Sequence, residues 1–205
     1  KAETGVSPSA TISVQTGTSH GGVVLPDGSI AEVKLDIEAL EALSKSAQQD
    51  YGMGGAVQHG ASTLPPNAFG NFPRVEAVEI HLATNFQSIV WDHPALPADL
   101  RKRAYQWLDE NAQGEKKSGD SAEQFYYKAR KKAIGPFKQE MWALPAAIRQ
   151  QISADLEKTF TFLFEQLRVT GTADLVRRFV TAPSLAHGAL THAGALAEDD
   201  PDAGE

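Results

Sequence analysis

The 205-residue chain contains no cysteine, which excludes disulfide frameworks, thiolate metal sites and cysteine nucleophiles. No apolar run approaches the roughly 18 residues of a membrane-spanning helix. Residues 1–10 lack the apolar stretch of a secretory signal. An excess of positive charge is also missing, since 19 Lys and Arg stand against 26 Asp and Glu, a net of −7. Five of those acids fall between Glu198 and Glu205, where there is no base. The remaining body is close to neutral, which points away from nucleic acid or an anionic membrane as a partner. A cytoplasmic location is the expectation from these absences. What is present is the balance of a globular protein, with 41% apolar and 22% charged residues.

The first ninety residues alternate strand and helix signals. Thr11 to Gly17 reads as a β-branched strand closed by glycine. Asp36 is placed to cap a helix running to about Gln49, with Ile37, Leu40, Leu43 and Ala47 as its apolar stripe. Gly55 to Gly60 reads as a second strand, Leu64-Pro-Pro66 as a turn and Ala77 to Ala83 as a third strand. Asn85 is placed to cap a short helix through Trp91. This order implies parallel strands joined by crossovers. From Pro97 the chain becomes helical. One helix reaches Asn111, a second starts at a Ser121/Gln124 capping box, a long one spans Pro145 to Val169, and a short one spans Asp174 to Val180. Three strands cannot close a parallel barrel, which needs eight and about 250 residues, and they leave two open sheet edges. The pattern is that of the C-terminal part of a larger α/β unit.

Two strands end in the same way, as Thr18-Ser-His20-Gly-Gly22 and Gln58-His59-Gly-Ala-Ser62. Function in parallel α/β folds gathers at the C-terminal ends of strands. Two imidazoles at corresponding ends can converge on one ion, and imidazole is a natural zinc ligand. A single histidine at a strand end is more often structural; the pairing is what raises the metal reading. Glycine after each histidine permits close backbone approach. Gly60 to Ser62 and Ala83-Thr84 offer N–H and hydroxyl groups to a phosphate, beside a helix start.

These residues resemble a known family. Ser13-Val-Gln-Thr-Gly-Thr-Ser-His-Gly-Gly22, Val57-Gln-His-Gly-Ala-Ser62 and Glu79-Ile-His-Leu-Ala-Thr-Asn-Phe-Gln87 look like the C-terminal half of class II, metal-dependent fructose-bisphosphate aldolases. Phe125-Tyr-Tyr-Lys-Ala-Arg130 and the long helix around Asp155 are similar to the family's C-terminal helices. The resemblance runs from Thr11 to about Val180, and the ordered His-Gly pair, about forty residues apart, is its specific part. It implies a (β/α)8 barrel and reversible aldol cleavage of a phosphorylated ketose, with a divalent ion, zinc above all, polarising the carbonyl. It implies His20 and His59 as metal ligands. Gly21 and Gly60 match glycines beside the substrate phosphate and a bound monovalent cation. Ser62 and Thr84 match phosphate-binding hydroxyls, and Asn85 and His81 fall among the substrate contacts. Arg130, or less directly Arg149, is the candidate for a further phosphate contact. No catalytic residue is assigned within the chain: the third metal ligand, the catalytic aspartate and the proton-transfer glutamate are expected upstream of residue 1. The other half of the barrel, on the same or another chain, and a homodimer are the implied partners.

Departures from the pattern bear on specificity. His81 and Ala83 stand where the family has asparagine and aspartate, and Ala61 stands in His-Gly-Ala-Ser where glycine is usual. These leave room for a different ketose phosphate, or for a non-catalytic aldolase-like subunit. The chain accordingly divides into 1–95, βα units of an incomplete barrel; 96–182, a helical extension; and 183–205, a flexible acidic tail. Period-two alternation puts Glu79, His81 and Ala83 on one strand face and Ile80 and Leu82 on the other. His93 reads as a turn residue, the Lys128 to Lys132 run as a solvated helix face, and Phe160, Phe162 and Phe164 as core or dimer interface. His187 and His192 fall in the tail.

Overall fold

The structure, a computed structural model, describes residues 10–181. The described residues fall into two units, one ending at Thr170 and the other beginning at Gly171. The first is mixed α/β. Its sheet holds β1 (Ile12–Val14), β2 (Ala56–Gln58) and β3 (Glu79–Ile80), all parallel in the order β1-β2-β3. Ile12 pairs with Ala56, and Val57 with Glu79. The strands are shorter than the β-rich stretches of sequence because their C-terminal ends turn away. Gly17 and Gly60 sit at φ 74° and 68°, a region that favours glycine. Single bonds carry the pairing a step further, from His59 N–H to the Val14 carbonyl and from His81 N–H to the Gln58 carbonyl, both 2.9 Å.

Helix α1 (Ile37–Gln49) joins β1 to β2, and the Asp36 carboxylate accepts from the Ala39 N–H at its start. Leu40 and Ala47 are buried as the stripe predicts, but Leu43 is exposed and Ser44 takes its place in the interior. The Ser44 hydroxyl accepts from Ala56 N–H and donates to the Glu76 carbonyl, pinning α1 to β2. The connection from β2 to β3 is not a plain turn. It contains 3-10 segments at Ala61–Thr63 and Pro66–Val75, whose Phe69, Phe72 and Val75 recur every third residue and are buried. That spacing is the 3-10 repeat.

Helices α2 (Thr84–Trp91), α3 (Ala98–Asn111), α4 (Ala122–Ala129), α5 (Ile134–Trp142) and α6 (Ala146–Gln166) follow. The capping box at Ser121 and Gln124 forms reciprocally. The sequence reading assigns no element to α5; its Pro136 stands in the first turn, where proline is tolerated. Asn85 is not the cap of α2. Ala83 holds that position, without a side-chain bond, and Asn85 lies in the first turn.

Two cores result. One lies under the sheet and gathers Leu40, Ala56, Leu64, Phe72 and Leu163 of α6. Ile80 and Leu82 pack against it, as the strand alternation predicts, while Glu79, His81 and Ala83 are exposed. The other is the helical layer, centred on Trp91, Leu100, Leu108, Phe125 and Phe137. The phenylalanines of α6 divide: Phe162 packs on the sheet core, while Phe160 and Phe164 are exposed and Phe160 stacks on Phe86. In the second unit, α7 (Ala173–Phe179) forms and exposes Leu175, Val176 and Phe179. The calls on residues 183–205, including His187 and His192, lie outside the described residues.

Candidate functional site

The C-terminal edge of the sheet brings three histidines together. The rings of His20 and His59 lie 5.7 Å apart between centroids, edge to face, and those of His59 and His81 lie 4.3 Å apart. Each follows a different strand. The Gln15 side-chain amide approaches His20 Nδ1 at 3.4 Å. His81 Nε2 meets Glu79 Oε1 at 2.5 Å, with both side chains half-exposed.

A buried polar network fixes these loops, and the sequence reading passes it over. Gln58, fully buried, accepts from the Thr16 hydroxyl at 2.8 Å. Its amide nitrogen donates to Thr18 Oγ1 at 3.0 Å and to the His59 carbonyl at 2.7 Å. Thr18 Oγ1 also donates to that carbonyl. Gly60 is required by its φ and by space, since a Cβ there would lie 2.8 Å from Thr18 Oγ1. Thr16, Thr18 and Gln58 stand inside the two histidine segments, and a polar residue inside a buried strand is the signal that marks them.

The residues singled out for phosphate also converge. A Cβ on Gly21 would stand 3.7 Å from Thr84 Oγ1. Ser62 Oγ accepts from the Ala83 N–H at 2.9 Å, joining the loop after β2 to that after β3. Ser62 and Asn85 also line a cavity of about 670 Å³ between α2, α6 and these loops, floored by Leu64, Leu82 and Phe162. That volume is within the range of small-molecule sites.

Arg130 lies behind the same cavity, whose lining includes its partners Ser88, Asp92 and Tyr127. Only 3% exposed, it donates to Asp92 Oδ1 at 2.8 Å and Ser88 Oγ at 2.6 Å, and it covers the Tyr127 ring at 4.8 Å. Its guanidinium is engaged by Ser88 of α2 and by Asp92 at that helix's end. Arg149 is exposed in the first turn of α6. His93 is more than a turn residue: it is buried, its Nδ1 accepts from Ala95 N–H, and Nε2 faces Asp155 Oδ2 of α6 at 3.3 Å. In the Lys128 to Lys132 run, Lys128 pairs with Asp120 and Lys132 with Glu115.

A metal can be tested against this geometry. At a Zn–N distance of about 2.0–2.1 Å, two imidazoles at a tetrahedral angle stand with centroids about 5 Å apart. The His20–His59 separation of 5.7 Å is near that value, a spacing compatible with two ligands of one ion. Among the described residues no group of three or more His, Asp or Glu side chains is arranged to hold an ion. No helix among them is long and apolar enough to cross a membrane. No family model, curated protein or solved structure matches the chain.

Proposed function

We propose that the chain carries the C-terminal βα units of a class II aldolase-like (β/α)8 barrel, part of a lyase that makes or breaks a carbon–carbon bond in a phosphorylated ketose of the fructose-bisphosphate type. The observation that carries this reading is the convergence of His20 and His59, from adjacent parallel strand ends, beside the Gly21, Ser62 and Thr84 loops. His20 and His59 would hold a divalent ion, with zinc favoured by imidazole ligation. When bound, such an ion supplies Lewis-acid polarisation of the ketose carbonyl. The chain's own part is binding and orientation. The backbone of Gly21 and Gly60 and the hydroxyls of Ser62 and Thr84 hold the phosphate at the start of α2, where helix N–H groups favour an anion. A monovalent cation beside the two glycines belongs to the same reading. A phosphate so held fixes the reacting carbon relative to the metal. The third metal ligand and the proton-transfer carboxylates come from the remaining strands, on the same or another chain, in a homodimer.

A second reading has its own support. His81 is engaged with Glu79 and lies against His59, and Ala83 brings no carboxylate to the site. Both features favour a changed ketose phosphate or a non-catalytic aldolase-like subunit. His59→Ala in the complete polypeptide separates the cases. The aldolase reading expects about one zinc per wild-type chain and cleavage of at least one member of a ketose-phosphate panel. The variant should weaken metal binding and activity more than about 100-fold, since outer-shell partners alone are worth 10–100-fold. Zinc and activity that both survive in the variant reject the site. Zinc bound by wild type without cleavage of any ketose phosphate selects the non-catalytic subunit.

A further inference from the structure

Helix α4 reaches the His20 loop at two points far away in sequence. The Gln124 side-chain amide donates to the Val24 carbonyl at 2.7 Å. The Tyr127 hydroxyl donates to the Gly21 carbonyl at 3.1 Å. A Cβ on Gly28, at the tip of the hairpin bridged by Val24 and Ile30, would stand 3.2 Å from Glu123 Cβ, so the hairpin lies flush on the start of α4. The loop needs such ties. Gly21 and Gly22 both sit at positive φ, 73° and 72°, and successive glycines have little conformational preference of their own.

Tyr127 is itself held. Its ring lies beneath the Arg130 guanidinium, and Arg130 is fixed by Asp92 and Ser88 of the α2 region. Ser88 Oγ in turn donates to the Thr84 carbonyl at 2.9 Å. Burial raises the Tyr127 pKa above the ordinary tyrosine value, so the hydroxyl remains a donor at neutral pH. One chain of contacts therefore joins the start of α2, where Thr84 stands, to the residue that follows His20.

We propose that Tyr127 is a positioning residue: its hydroxyl, backed by Arg130, fixes the Gly21 carbonyl and so the setting of His20 and the Gly21 backbone. What the loop binds rests on the proposed metal and phosphate site; that Tyr127 anchors the loop does not. Tyr127→Phe in the complete polypeptide keeps the ring under Arg130 and removes only what the hydroxyl makes, its bond to the Gly21 carbonyl and its contact with Ser88. Tyr126→Phe is the control, because that hydroxyl donates to Asp109 within the helical layer. Hydrogen exchange of residues 19–25 should quicken about fivefold in Tyr127→Phe, the worth of one net hydrogen bond. Exchange in α1 and α3 should stay at the wild-type rate. Affinity for Zn2+ alone should fall by a similar factor, and Tyr126→Phe should change neither. Unchanged exchange at 19–25 overturns the proposal, as does quickened exchange with undiminished zinc affinity. Quickened exchange in a protein whose wild type binds no zinc upholds the anchor and rejects the metal reading.

Discussion

At the scale of single residues, Gly17 shows how little freedom the first loop has. It lies at φ 74°, and a Cβ there would stand 2.5 Å from the Lys34 backbone carbonyl. That neighbour is backbone and cannot swing aside. Gly17→Ala is expected to destabilise the protein by about 2–4 kcal/mol, combining a left-handed penalty with a forced displacement, measured as a lowered urea midpoint. A shift below about 0.5 kcal/mol would mean that the loop rearranges at little cost. Residue types and their order made the meeting of His20 and His59 legible, because each follows a strand signal and precedes a glycine. The fate of Arg130 was not legible. A basic residue on a helix reads alike whether its guanidinium faces solvent, a ligand or, as here, Asp92 and Ser88 across a fold contact.

Elements were readable where a local cap or a clean period sets them. Asp36 and the Ser121/Gln124 pair mark the starts of α1 and α4. Their contribution is local and separable from the site. Asp36→Ala should cost about 1 kcal/mol, seen in the thermal midpoint, and at the proposed metal site zinc affinity should stay within twofold of wild type by the same hydrogen-bond scale. A large loss of zinc binding would show that the start of α1 supports the Gly17 turn more directly than its cap does. The Asp36 N–H donates to the Thr16 carbonyl, which is the route for such coupling. Elements were missed where tertiary packing overrides the helical period. The Pro66–Val75 segment repeats its phenylalanines every third residue, a 3-10 spacing that conforms to neither the helix nor the strand template. Ser44 was missed for a related reason: a serine reads as polar surface, yet here it makes two bonds to backbone groups that Leu43 could not.

For the whole molecule, the sequence poses the question of what pairs with the two open edges of the sheet. Parallel sheets are found with both faces covered and within larger sheets or barrels, and here, among the described residues, three strands of two or three residues leave β1 and β3 as edges. The Ile12 N–H bonds the Gly55 carbonyl on the β2 side at 3.1 Å. Successive residues of a strand turn their N–H groups to opposite edges, so the Ser13 N–H faces the outer edge of β1. If the remaining strands of a barrel pair there, the Ser13 amide in the complete polypeptide becomes a ladder donor. It should then exchange at least about 100-fold more slowly than an unstructured amide, the effect of an opening free energy near 3 kcal/mol. Amides of the central strand, such as Val57, supply the internal standard for protection. A Ser13 amide that exchanges freely while Val57 is protected would leave β1 a true edge. The barrel, and with it a third metal ligand delivered by a neighbouring strand, would then have to be abandoned, even if His20 and His59 still bound an ion.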